Sequence, residues 1–232
     1  YVVDPTDPVL QVWKSAFPDL FEPIDSMSAE LRDHLRYPED LFRIQTAAYS
    51  KYRLDAADFF DRRGAWSVSL APPEQATNAS DATTNTVAAD AGSTQFASDS
   101  STQRFEPYYT MFHAAGDETA SFQILRPFQP FSTSDQYKNR VAYVTASSDP
   151  ATYGQLVAYV LPAGTEDDGP YIVGAAMNSE PAVSAYATLN NDPNGNSRIE
   201  YGDLQLLPVA DGVIWIRPLY VESTSSGQPS VT

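Results

Sequence analysis

Asp4, Asp7, His34 and Asp149 are the side chains of this sequence whose types could serve as an acid/base or metal-binding set. Hydrolytic metal chemistry needs about three His, Asp or Glu ligands converging on one ion, and a general base needs a shifted pKa inside a cleft. The chain has only two histidines, His34 and His113, and neither stands in an HxxxH or HxH spacing. His113 precedes Ala114, Ala115 and Gly116 in what reads as a hairpin loop, so both histidines read as surface or capping groups. A serine nucleophile requires a GxSxG elbow between strand and helix, which the chain lacks. Ser147, Ser148 and Asp149 fall at a strand end, where Asp149 before Pro150, with Tyr153 and Gly154 following, reads as a cap and turn.

The stretch NNDPNGNSRIEY, Asn190 to Tyr201, has the outline of a calcium loop. With Gly195 at the sixth position, Asn190, Asp192, Asn194 and Asn196 occupy the first, third, fifth and seventh. The twelfth position, where a bidentate glutamate belongs, is Tyr201, with Glu200 one residue early. The first ligand is also uncharged, so a polar turn is the better reading and weak calcium binding the alternative. Arg32, Asp33, Arg36, Glu39, Asp40 and Arg43 could present guanidinium groups to an anion. Their alternating signs favour pairing among themselves. Tyr108, Tyr109, Phe128 and Phe131 read as core or sheet-face aromatics rather than a stacking platform.

The element that would position most of these groups is HLRYPEDLFRIQ, His34 to Gln45. Pro38 cannot lie inside a helix, which predicts an extended Tyr37 and a helix beginning with Pro38 at its first position. Glu39 and Asp40 then meet the helix dipole favourably, Glu39 reaches Arg43, and Leu41, Ile44, Ala48 and Tyr52 share a face expected to pack inward. Before this corner, Pro8 should open a short helix carrying Val9, Leu10, Val12 and Trp13, and FPDLF at Phe17 to Phe21 should plug the core. Ser26 or Ser28 should cap the helix with Leu31 and Leu35. After the corner, Asp55 should cap a last helix holding Phe59 and Phe60, which Gly64 ends.

Residues 1–70 are therefore expected to be mainly helical. Residues 71–103 are rich in Ala, Ser, Thr, Asn, Gln and Asp, with only Val87 and Phe96 as sizeable apolar residues, which predicts a low-complexity mobile loop. From 104 to 222 the apolar period becomes strand-like, with six segments: 108–112, 121–125, 140–146, 155–161, 198–207 and 213–221. One helix is expected near 181–189, and 223–232 reads as a tail. Helices first and strands afterwards predict an α+β fold, a helical part packed on a mainly antiparallel sheet of about six strands.

Composition narrows the function classes. With 14 Lys and Arg against 30 Asp and Glu, the formal charge of −16 repels phosphate backbones and argues against nucleic acid as a partner. There are no cysteines, which excludes disulfides, thiolate metal sites and cysteine nucleophiles. No apolar run reaches the ~18 residues that a spanning helix needs, so no direct membrane insertion by this stretch is expected. The chain begins without methionine in what looks like a strand and is read as a piece of something longer.

Seven motifs occur in order: YVVDPTDPV at the start, FPDLF, HLRYPEDLFRIQ, LRPFQP from Leu125, SDPATYGQLVAY from Ser148, SRIEYGDLQLLPV from Ser197 and IRPLYV from Ile216. Together they resemble uncharacterised protein family 0182 of large, mostly actinobacterial, multi-pass membrane proteins. The resemblance implies that this chain is part of a large extracytoplasmic region at the cell membrane, with the rest of the parent protein as one partner. It carries over no catalytic, cofactor-binding or metal residues, and none is assigned. It also implies that the 71–103 stretch, absent from shorter relatives, is dispensable, and it lowers the calcium reading. The leading expectation is a non-enzymatic domain that binds an envelope ligand or protein. The alternatives are an envelope hydrolase or transferase using Asp4, Asp7 and Asp149 with His34, and a cap or gate of a transport pathway, for which an exposed apolar patch would speak.

Overall fold

Local signals start most of the helices where the sequence places them. Asp7 caps α1 (Pro8–Ala16), its carboxylate accepting from the backbone N–H groups of Val9 and Leu10 at 2.8 and 2.9 Å. A 3₁₀ turn (Ile24–Ser26) leads to α2 (Ala29–Asp33), capped by the Ser28 hydroxyl. α3 (Glu39–Tyr52) follows the Tyr37/Pro38 corner, and Asp55 caps α4 (Ala56–Asp61). Pro38 sits one position earlier than expected, as the N-cap rather than the first helical residue. α4 ends at Arg62, itself left-handed at φ 54°, two residues before Gly64. This computed structural model describes residues 1–73, 104–113, 119–190, 197–209, 212–223 and 229–231. The expected loop at 71–103 therefore lies almost wholly outside the described residues.

The main sheet has five strands: β1 (Trp66–Val68), β2 (Tyr108–Phe112), β3 (Ser121–Pro130), β5 (Ala142–Ser147) and β6 (Leu156–Val160). All pairings are antiparallel, with β3 contacting β1, β2 and β5, and β6 pairing β5 at the end of the order β1-β3-β5-β6. β4 (Asn139–Arg140) pairs separately with β7 (Asp167–Asp168). The expected long strand at 198–207 is two, β8 (Ser197–Tyr201) and β9 (Gln205–Val209). That at 213–221 likewise divides into β10 (Gly212–Ile216) and β11 (Leu219–Ser223). The break falls at Gly202, whose N–H donates to the Pro218 carbonyl at 2.9 Å, and a Cβ there would stand 2.5 Å from Pro218 Cγ. Part of the expected tail forms β12 (Pro229–Val231), paired with β11.

The sheet is covered on both sides. On one face Phe42 from α3 joins Val68, Ile124, Phe128, Val144 and Ala146. On the other, Leu206, Val213 and Trp215 of the β9–β10 hairpin meet Phe112, Leu125 and Tyr143. Strand side chains alternate between faces, so two covered faces bury every residue of β5. One helix was expected near 181–189, whereas two occur, α5 (Pro170–Ser179) and α6 (Pro181–Asn190). α5 approaches Pro72 so closely that a Cβ on Gly174 would stand 2.7 Å from Pro72 Cβ. Glycine spacing of that kind is invisible to an apolar-period reading.

Candidate functional site

The Tyr37/Pro38 corner is sewn to the sheet by hydroxyl groups. Ser148 Oγ accepts from the Tyr37 backbone N–H at 3.0 Å, Tyr109 donates its hydroxyl to the Tyr37 carbonyl, and Tyr153 donates to the Arg36 carbonyl at 3.4 Å. The Tyr37 ring is 4% exposed, meets Phe42 edge-on at 6.3 Å, and its hydroxyl donates to Gln45. Burial raises the pKa of Tyr37, Tyr109 and Tyr153 above the ordinary phenol value, which keeps these donors protonated. The corner fixes where α3 begins and how it is rotated about its axis.

That rotation overturns the expected inward face. Ile44 and Tyr52 are 67% and 71% exposed, and Leu41 and Ala48 are exposed as well. The buried residues are Phe42, Thr46, Ala47 and Ser50. Small residues let the helix approach β1 and β3 closely, and the hydroxyls of Thr46 and Ser50 donate back to the Phe42 and Ala47 carbonyls at 2.7 and 2.8 Å. A buried tyrosine upstream, not the more apolar stripe, decides which side turns in.

The apolar stripe left outside continues into α4. Tyr52 stacks on Phe59 at 5.8 Å, and Phe59 meets Phe60, itself 84% exposed, at 6.1 Å. α1 buries no residue and leaves Val9, Val12 and Trp13 more than half exposed. FPDLF does not plug the core: Phe17 stacks on Trp13 at the surface and Leu20 is 68% exposed. Single exposed apolar residues are ordinary, whereas here a row along one helix continues onto the next. Covering Ile44 or Phe60 completely would contribute about 1–2 kcal/mol each, and the part of Leu41 still open about 1 kcal/mol.

The groups considered for catalysis are engaged locally. Asp4 accepts from the backbone N–H and hydroxyl of Thr6 at 2.8 and 2.6 Å, bonds that lower its pKa. Asp7 caps α1, and His34, at the end of α2, places Nδ1 2.7 Å from the Glu30 carbonyl. Ser147 Oγ accepts from the Asp149 N–H and the Thr152 hydroxyl, which makes SDP a turn. Among the described residues no group of three His, Cys, Asp or Glu is placed to hold a metal ion. Of the calcium-loop reading, residues 191–196 lie outside the described residues, and Glu200 pairs with Arg198 at 2.7 Å. Arg43 bridges Glu39 and Glu106 at 2.7 and 2.9 Å, Arg32 reaches Asp25, and Arg36 lies over the Tyr109 ring. These charges hold the corner in place.

Three features had no legible signal. Arg104, 5% exposed, makes a two-pronged pair with Asp135 at 3.1 and 3.0 Å, and Gln129 Nε2 donates to the same carboxylate at 3.3 Å. Leu70 and Arg104 form an antiparallel bridge, so the chain leaves and re-enters the fold at adjacent points. A hollow lined by Leu54, Phe59, Trp66 and Phe131 holds about 20 Å³, far below the ~300–1,000 Å³ of small-molecule sites.

The fold is that of an α+β domain with a mainly antiparallel sheet and an apolar stripe on its helical layer. The chain belongs to uncharacterised protein family UPF0182, whose family model matches residues 1–190. A UPF0182 protein of Cupriavidus necator is 34% identical over 232 residues, covering 100% of this chain and 23% of the relative. One from Saccharopolyspora erythraea is 34% identical over 96% of this chain and 21% of its own length. A third, from Synechococcus elongatus, is 32% identical over 100% of the chain and 21% of its own length. These sources spread more widely than the actinobacteria that the resemblance implied. The chain thus spans about a fifth of the length of these curated relatives. No solved structure matches it. No helix among the described residues is long and apolar enough to cross a membrane.

Proposed function

We propose that this chain is a non-enzymatic docking domain of a larger membrane protein, lying on the extracytoplasmic side and covered by the rest of its own polypeptide. The observation that carries the reading is the rotation of α3, which leaves Leu41, Ile44, Ala48 and Tyr52 outside beside Phe59 and Phe60. Relatives four to five times longer supply the polypeptide that could cover such a face. The family resemblance supports the membrane setting. A cap over a transport pathway is the form of this reading that the exposed stripe favours. A hydrolytic centre has less support, because the side chains of Asp4, Asp7 and His34 are each bound to neighbouring backbone.

Photo-crosslinking tests the reading in the full-length parent. A benzophenone amino acid at position 44 is expected to crosslink to residues of the same polypeptide beyond this domain. Products confined to other proteins, or none under conditions where a probe elsewhere in the parent reacts, would reject it.

A further inference from the structure

We infer that the free edge of β6 receives a β-strand from the part of the parent polypeptide outside this chain, extending the main sheet by one strand. Among the described residues β6 pairs with β5 alone. The Leu161 N–H donates to the Val141 carbonyl at 2.9 Å and the Ser147 N–H to the Gln155 carbonyl at 3.4 Å. Antiparallel alternation therefore turns the backbone of residues 155, 157, 159 and 161 toward β5 and that of Leu156, Ala158 and Val160 outward. Three N–H donors and three carbonyl acceptors line this edge.

Natural edges are blunted by charge, proline, bulges or a covering element. Leu156 to Val160 reads LVAYV, with no charge and no proline, and pairs with β5 residue for residue without a bulge. Its apolar side chains are open on both faces, Leu156 at 37% and Val160 at 57% on the helix side, and Val157 at 43% on the hairpin side. The incoming strand must accordingly be apolar on both of its faces, as a central strand is, rather than alternating.

The length of the edge identifies the occupant. Specific bimolecular interfaces engage about 20–30 residues a side, far more than a five-residue edge offers. A strand tethered in the same polypeptide acts at millimolar effective concentration and needs no such area. This inference rests on the reading above that the parent covers this domain, but it concerns a different surface and a different mode of contact.

The test is residue-resolved hydrogen exchange on the full-length parent. If the edge is covered, the outward amides of 156, 158 and 160 exchange as slowly as the inward amides of 157 and 159. If it is open, they exchange about tenfold or more faster, and the inference fails. Ala158→Pro removes an outward donor and leaves the β5 ladder intact, so amides 156 and 160 are expected to lose protection while 157 and 159 keep theirs. Unchanged protection at 156 and 160 in that variant also overturns the inference. Protection that disappears on hundredfold dilution assigns the edge to a second copy and rejects the tethered strand. Slow edge amides together with failure of the position 44 crosslink would leave strand addition standing and remove only the α3 docking face.

Discussion

Asp135→Asn tests the buried ion pair that closes the fold where residues 74–103 depart. Asp135 is left-handed at φ 48°, a conformation asparagine tolerates, so the substitution removes charge with little backbone cost. Arg104 then keeps its bond to the Val68 carbonyl at 3.0 Å but stands buried without its counter-charge. Removing one member of a buried pair costs about 3–5 kcal/mol, which for a chain of this size lowers Tm by about 6–20 °C. Arg104→Met should cost a similar amount, since it strands the carboxylate with Gln129 as its side-chain donor. The double variant strands neither charge, and its loss should fall short of the summed single losses by about 2 kcal/mol or more. Urea unfolding of this chain, followed by tryptophan fluorescence and far-UV circular dichroism, measures all three. Single losses below about 1 kcal/mol that simply add would describe a solvated pair and refute the reasoning.

Other expectations follow from the same coordinates. Replacing residues 74–103 by a short Gly/Ser linker should leave Tm within a few degrees, because Leu70 and Arg104 already face each other; a collapse of the transition would contradict this. Gly174→Leu should destabilise by several kcal/mol through collision with Pro72, whereas Gly164→Ala, in open space at φ 82°, should cost about 1 kcal/mol; thermal unfolding compares them. Burial holds the Tyr143 phenol up to about 12 and raises Tyr37, Tyr108, Tyr109 and Tyr153 as well. Folding therefore favours their protonated forms, so stability should be full below pH ~10 and fall between pH ~10 and 12. Phenolate absorbance should then appear in two stages, the second coinciding with unfolding. Ser148→Ala should cost about 1 kcal/mol by leaving the Tyr37 N–H without its acceptor, measured by urea midpoint.

Caps and strand periods were legible in the sequence because their causes are local. Ser28 and Asp55 sit where side-chain oxygens meet the first backbone donors of a helix, and the apolar run at 108–112 is one strand. The face of α3 was not legible. Leu41/Ile44/Ala48/Tyr52 and Phe42/Thr46/Ser50 are both valid helical stripes, and the choice depends on Ser148, Tyr109 and Tyr153, which lie 72 to 117 residues from the corner residues they bond. The strand break at Gly202 and the helix at Pro170 depend on close approaches to Pro218 and Pro72, contacts with no periodic signature. Asp4, Asp7, His34 and Asp149 were chosen by residue type; the side-chain hydrogen bonds of Asp4, Asp7 and His34 explain those types without a reaction, while Asp149 is held through its backbone N–H.

Comparing thiol labelling of Ile44→Cys with that of Glu30→Cys in the full-length parent tests the docking face most directly. Both positions are exposed in this domain, and the domain itself contributes no competing cysteine. A face covered by the parent predicts labelling at position 44 about tenfold or more slower than at position 30. Equal rates at the two positions in the folded parent would show the stripe open to water and contradict the account.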